Sequence, residues 1–243
     1  MRQSGARDEA RTFVVEGTLG VAEALQAGAP VEALFAGPGA DDRVMQAALA
    51  ASVPVHHVAP GVLERVADTV TPQPLLATVG FVDVALDELA DATFVVVCAG
   101  IRDPGNLGTI LRSAEAAGAD GVVCADGSVD LYNPKTVRAS AGSVFHVPIV
   151  AGGDALSVVK RLAGWGITGV GAVAHKGETP AAIDLTQRVA VVLGSESHGL
   201  PAAVDEAVAR RVTIPLHGRA ESLNVGMAAA ILAFEVARQR SGV

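Results

Sequence analysis

Two stretches of this chain, TFVVVCAG at 93–100 and RVAVVLGS at 188–195, are almost wholly apolar and rich in β-branched residues. A strand of that kind has no polar side to offer water, so it belongs inside a parallel sheet covered on both faces. GVVCAD, VPIV, GITGVGAVA and RVTIPL supply further short strands, and helices fit at 107–117, 135–145, 155–164, 200–209 and 222–240. Upstream, FVVEG precedes TLGVAEALQAG, VEALFAG precedes DDRVMQAALAAS, and VPVHHV precedes PGVLERVAD. That β-α-β-α rhythm predicts a second α/β unit. The segment TVTPQPLLATVGFVDV holds two prolines and a last strand, and the DELAD run after it reads as a linker. The expected domains are therefore residues 1–86 and 87–243.

Half of the 243 residues are hydrophobic, enough for a substantial core. No apolar run reaches the roughly 20 residues of a membrane span, and the opening MRQSGARDEAR has no signal-peptide core, so a soluble cytoplasmic protein without membrane attachment is expected. Cys98 and Cys124 fall inside apolar runs with no Cys or His partners at ligand spacing, which predicts reduced core cysteines and no metal site. The net charge of -8 argues against a polyanionic partner. Location weakens that objection: residues 1–90 carry a net -7 and residues 91–243 only -1, leaving room there for a local basic patch.

Familiar site patterns mostly fail. GVGAVA at 169–174 matches a dinucleotide loop, but HKGETP follows where the phosphate-binding helix would begin. LGSESHGL resembles a hydrolase elbow, but Glu196 occupies the nucleophile position. His198, His56 and His57 lack ligand-spaced partners. Four other stretches carry more. In DPGNLGTILRS, residues 103–105 form a turn, Asn106 can cap the helix, Gly108 permits close approach, and Arg112 stands out from the helix. Leu193, Gly194 and Glu196 end a buried strand, where ligands collect in open α/β sheets. IPLHGRAESLNVGMAAAILAFE places Ser222 and Asn224 at the opening of a long Ala-rich helix. NPKTVRASAG sets Lys135 and Arg138 one turn apart, two cations suited to phosphates or to a solvated face.

In order, N-x-G-x-x-x-R (106–112), L-G-x-E-x-x-G-L (193–200) and I-P-x-x-G-x-x-x-S-L-N-V (214–225) closely resemble the SpoU, or TrmH-like, family of RNA ribose 2'-O-methyltransferases. FVVEGTLGVAEAL and TVTPQ resemble that family's small N-terminal RNA substrate-binding domain, a ribosomal-protein-like α/β unit. The resemblance implies a C-terminal parallel-sheet α/β domain tied as a deep trefoil knot, S-adenosyl-L-methionine as methyl donor, RNA as partner, and a homodimer whose two subunits complete the site. Carried onto this chain, Leu193, Gly194, Ile214, Leu216, Leu223 and, more weakly, Ala172 line the donor pocket. Arg112 and Asn106 meet the target nucleotide, Glu196 orders the loops, and Ser222 with Asn224 completes the catalytic group. By their spacing rather than by the resemblance, Lys135 and Arg138 are the expected RNA contacts.

Such a reaction needs a ribose hydroxyl to lose its proton and to lie in line with an already activated methyl group. Arginine is an unusual base because its pKa exceeds roughly 12. Arg112 either holds the neighbouring phosphate and stabilises the alkoxide or takes the proton itself. Two features depart from the family pattern: Gly226 stands where relatives usually have Ser, and the leader is short and lacks a basic run. Ribosomal RNA is the expected substrate because of the extra N-terminal domain. The alternatives are a transfer-RNA ribose methyltransferase and a non-catalytic RNA-binding protein that keeps the fold.

Overall fold

The computed structural model describes residues 4–66 and 73–241. By contacts the chain divides into two compact units, residues 1–82 with 132–146, and residues 83–131 with 147–243.

In the first unit, α1 (Ser4–Ala10) leads into β1 (Thr12–Glu16), α2 (Thr18–Gln26), β2 (Val31–Ala36), α3 (Asp42–Ala50), β3 (Val55–His57), α4 (Val62–Val66) and β4 (Leu75–Gly80). The sheet order is β1-β4-β2-β3, with β4 antiparallel to both neighbours and β2 parallel to β3. The strand and helix rhythm matches the expectation. Helix α1 was not anticipated, because its sequence SGARDEA offers no apolar stripe to read. Of the TVTPQ segment, residues 69–72 lie outside the described residues.

The second unit runs β5 (Phe94–Ala99), α5 (Pro104–Ala116), β6 (Gly121–Cys124), β7 (Ile149–Ala151), α7 (Ala155–Gly164), β8 (Thr168–Ala172), β9 (Val189–Gly194), α8 (Ala202–Ala207), β10 (Arg210–Val212) and α9 (Val225–Ser241). Its six strands are all parallel, in the order β10-β8-β9-β5-β6-β7. Every residue of β5 and of β9 is buried, as their unbroken apolar sequences require. The fold is α/β as expected. Cys98 and Cys124 are free, buried and paired in register across β5 and β6. A hydrogen bond with Cys124, and burial, push the Cys98 thiol up and leave it unreactive.

Two segments depart from the sequence reading. The DELAD linker is in fact a 3-10 turn, Leu86–Leu89, that sinks Leu89 into the core of the second unit. The segment carrying α6 (Pro134–Ala139), expected within one continuous domain from residue 87, clusters instead with the first unit. The cause is aromatic: Tyr132 stacks on Phe81 with ring centroids 3.8 Å apart and lies 4.6 Å from Phe13, while its hydroxyl accepts from the Val82 amide at 2.8 Å. A tilted pair such as Phe13–Tyr132 adds roughly 0.5–1.5 kcal/mol beyond area burial.

In a parallel sheet all strand N-termini lie at one end, and here that end is fastened by charge. Arg188 donates to the Ala92 carbonyl at 3.0 Å, to Trp165 at 2.6 Å and to Ala90. Arg240, near the end of α9, donates to the carbonyls of Thr93 (2.8 Å), Gln187 (2.8 Å) and Leu185 (3.3 Å). Asp120 accepts from the amides of Thr93 and Phe94 at 2.6 and 2.9 Å. Burial alone would raise the Asp120 carboxyl, but these bonds outweigh it and hold it below the usual range.

Candidate active site

The chain leaves β5 toward β6 on one side and leaves β9 toward β10 on the other, so the sheet changes direction between β5 and β9. Ligands of open α/β sheets bind beyond the strand C-termini at such a point. Ala99 and Gly194 face each other there in register.

The loop after β9 turns back on itself. Ser195 and Gly199 exchange backbone hydrogen bonds at 3.0 and 2.9 Å, and Gly194 lies beneath them. A Cβ on Gly194 would sit 2.1 Å from the Gly199 carbonyl carbon, so only glycine permits this fold-back. Glu196, carried by the loop, reaches the segment after β5: it accepts from the Arg102 and Asp103 amides at 3.3 Å each and from Asn106 Nδ2 at 2.8 Å. Asn106 Oδ1 accepts in turn from Asn224 Nδ2 at 2.8 Å. Three loops separated by 90 and 118 residues are thus joined by one chain of polar groups. Burial pushes the Glu196 carboxyl up, but the hydrogen bonds from Asn106, Arg102 and Asp103 outweigh it and the carboxyl lies below its ordinary range.

Two caps differ from the sequence reading. Asp103, not Asn106, caps α5: its side chain accepts from the Asn106 amide at 2.8 Å, and Pro104 opens the helix, where its missing N–H costs nothing. Asn224, not Ser222, caps α9, accepting from the Gly226 and Met227 amides at 2.9 and 3.3 Å. The capping roles leave the amide groups of Asn106 and Asn224 pointed at each other. Gly226 is a packing residue: a Cβ there would meet Thr109 Cβ at 3.1 Å, so its absence lets α9 approach α5.

Beside this polar chain a cleft of about 650 Å³ opens at the C-terminal ends of β8, β9 and β10. Ala172, Leu193, Gly194, Ile214, Leu216 and Leu223 all line it, as do Glu196 and Ser222. The site residues expected for the donor therefore come together. Sequence reasoning missed His175, Asp205 and Glu221, which also line the cleft. For His175 the signal was its place just beyond β8; the other two sit on a helix and a loop with no local mark. Thr213 pins the cleft's edge, its hydroxyl accepting from the Gly177 amide at 2.8 Å and donating to the Val173 carbonyl at 3.1 Å.

Arg112 is exposed on α5 and does not line the cleft of its own chain. Among the described residues it makes no hydrogen bond with Asn106 or Ser222. Lys135 is exposed on α6 in the first unit, whereas Arg138 is paired with Glu16 of β1 at 3.5 Å. The expected pair of free cations is thus a single one. Among the described residues no group of three or more His, Cys, Asp or Glu is arranged to hold a metal ion, and no helix is long and apolar enough to cross a membrane.

A parallel sheet with a loop-built cleft at the C-terminal ends of β8, β9 and β10, bordered by loops that Glu196, Asn106 and Asn224 tie together, defines an open-sheet α/β protein with a ligand-sized site. The chain belongs to the SpoU rRNA Methylase family, whose profile matches residues 93–234. Residues 1–77 match an MRM3-like substrate binding domain. The 23S rRNA (guanosine(2553)-2'-O)-methyltransferase RlmP of Bacillus subtilis is 34% identical over 230 residues, spanning 95% of this chain and 90% of that protein. The SpoU methyltransferase AviRb of Streptomyces viridochromogenes, solved in complex with AdoMet, superimposes with a TM-score of 0.87 at 30% identity, covering 99% of this chain and 95% of that one. An AdoMet-bound rRNA methyltransferase of Sinorhizobium meliloti gives 0.83 at 30% identity, covering 98% and 91%.

Proposed function

We propose that this chain transfers the methyl group of S-adenosyl-L-methionine to the 2'-hydroxyl of a ribose in ribosomal RNA. The observation that carries the reading is the hydrogen-bonded chain Glu196–Asn106–Asn224, which fixes three distant loops beside a cleft of ligand size in a chain of this family.

The cleft fits the donor. Leu193, Ile214, Leu216 and Leu223 give an apolar wall, Gly194 permits the fold-back of the loop that borders the cleft, and Glu196 and Glu221 put negative charge near a cationic ligand. Bound there, S-adenosyl-L-methionine supplies a methyl group already activated on a positive sulfur. The chain's task is to hold the acceptor oxygen in line and to favour its alkoxide. We assign that task to Arg112, whose planar fork suits a phosphate or a developing negative oxygen and whose side chain has no partner among the described residues. Of the two roles open to it, the electrostatic one asks no proton transfer of a guanidinium, and we favour it. Asn106 and Asn224 present the acceptor's loop, Ser222 stands at the lip of the cleft, and Ala172 closes its floor.

Residues 1–86 serve as the RNA-binding domain, with Lys135 as an added cation, and residues 87–243 as the methyltransferase domain, whose C-terminal part is tied as a trefoil knot. The active form is a cytoplasmic homodimer. Helix α9 supports this: Leu232, Ala233 and Val236 are buried, while Met227, Ile231 and Phe234, spaced at i, i+4 and i+7, lie 53, 44 and 52% exposed. Such a stripe is the kind of surface a second copy covers. Phe234→Asp should convert a dimer to monomer in light scattering; a wild-type chain that is already monomeric at micromolar concentration removes the dimer.

Calorimetry with S-adenosyl-L-methionine and transfer of a tritiated methyl group to ribosomal RNA test the function. Saturable donor binding with label in ribosomal RNA is expected. Label in transfer RNA alone would redirect the substrate, and donor binding without any transfer would leave a non-catalytic binder.

A further inference from the structure

The second unit contains nine arginines, and their partners separate them sharply. Six are committed: Arg161 to Asp87, Arg210 to Glu178, Arg211 to Asp205, Arg238 to Glu235, and Arg188 and Arg240 to backbone carbonyls. The side chains of Arg102, Arg112 and Arg219 are exposed and bond to nothing among the described residues. Arg112 already has a role in the proposed reaction, but Arg102 and Arg219 do not.

Neither is placed at random. The Arg102 backbone amide donates to Glu196 Oε2 at 3.3 Å, so this residue is anchored by its main chain at the switch point while its side chain is left to solvent. Arg219 lies in the loop after β10, between Leu216 and Glu221, both of which line the cleft. The two loops root on strands separated by β9 and β8, three inter-strand steps or about 14 Å apart at the usual spacing. The cleft between them carries Glu196, Asp205 and Glu221, and the whole chain has a net charge of -8. A polyanion brought to that mouth meets repulsion unless cations at its rim offset it.

We propose that Arg102 and Arg219 are positioning residues that each hold one backbone phosphate of the RNA beside the target nucleotide, on opposite lips of the donor cleft. The proposal rests on the RNA methyltransferase reading above and deepens it. Both arginines neutralise phosphate charge and carry no part of the methyl transfer itself, so their loss should weaken RNA capture and leave the chemical step intact.

The test uses the full chain and ribosomal RNA purified from a strain that lacks it, at fixed magnesium. Arg102→Gln and Arg219→Gln should each raise KM for RNA by about three- to tenfold with kcat within twofold. Each should also flatten the plot of log(kcat/KM) against log salt by about 0.7, the release expected for one single-stranded phosphate contact. Arg102→Lys and Arg219→Lys keep the charge and should keep the slope. Donor affinity by calorimetry should stay within twofold throughout, which a misfolded variant would fail. Wild-type slopes and KM in both Gln variants, with wild-type transfer intact, overturn this inference alone. A wild-type chain that binds the donor but methylates no RNA overturns the functional reading, and this one with it.

Discussion

The two ends of the parallel sheet use the same residue type for opposite purposes. At the strand N-termini, Arg188 and Arg240 spend their donors on six main-chain carbonyls and lock β5, β8 and β9 to the helices beneath them. At the strand C-termini the side chains of Arg102, Arg112 and Arg219 are exposed and make no bond among the described residues, with Arg102 and Arg219 on loops that adjoin the cleft. A saturated arginine is structural reinforcement; an unsaturated one near a cleft is capacity held for a ligand. The carboxylates divide the same way, with Asp120 stapling strand starts and Glu196 tying loops at the site.

That contrast can be broken most forcefully at Arg112. Arg112→Ala should lower kcat for methyl transfer by about 10²–10³ while the unfolding midpoint stays unchanged; near-normal transfer would remove Arg112 from the reaction. At the opposite end, Arg188→Ala should cost about 2–4 kcal/mol of stability through three stranded carbonyls, read by chemical denaturation. Specific activity below the melting range should survive, and a selective loss of activity would blur the division between the two ends.

Glu196→Gln sharpens the comparison at the site. It keeps the shape but weakens three charge-assisted bonds, and donor affinity should fall about tenfold. Because the folded carboxyl lies below its ordinary value, its contribution is complete above the unfolded carboxylate value and disappears as pH falls through the folded one. The stability difference between wild type and Glu196→Gln should therefore be constant from pH 8 to about 6 and shrink in the acid limb. A difference that grows toward low pH would contradict the assigned hydrogen bonds. The smallest effect is expected at Gly226→Ala: helix propensity gains about 1 kcal/mol, which crowding against Thr109 at 3.1 Å offsets, so the melting temperature should move by only a few degrees.

Much of the fold was legible because burial writes itself locally. The unbroken apolar runs of β5 and β9 could belong only to central parallel strands, and resemblance in three short motifs picked out residues from Leu193 to Leu223 that line one cleft. What escaped depends on partners distant in sequence. Nothing near Asn106 says that Asp103 takes the cap and frees the Asn106 side chain for Glu196 and Asn224. Nothing near Arg138 announces Glu16, whose ion pair sets Arg138 apart from the exposed Lys135 on the same helix. Leu89 looked like linker because its polar neighbours dominate the run, yet it fits over Gly121, where a Cβ would lie 2.5 Å from it.

The allegiance of residues 132–146 has a temporal consequence. During synthesis the first unit lacks Tyr132 and Phe145 until about 64 further residues have followed Val82, a delay of roughly 3 to 13 seconds at about 5–20 residues per second. Phe13 and Phe81 wait uncovered in that interval, while β5 and β6 emerge from the ribosome ahead of the segment that will cover them. The N-terminal unit is thus made first and finished later, and a nascent chain halted before residue 146 would expose aromatic surface for chaperones to hold.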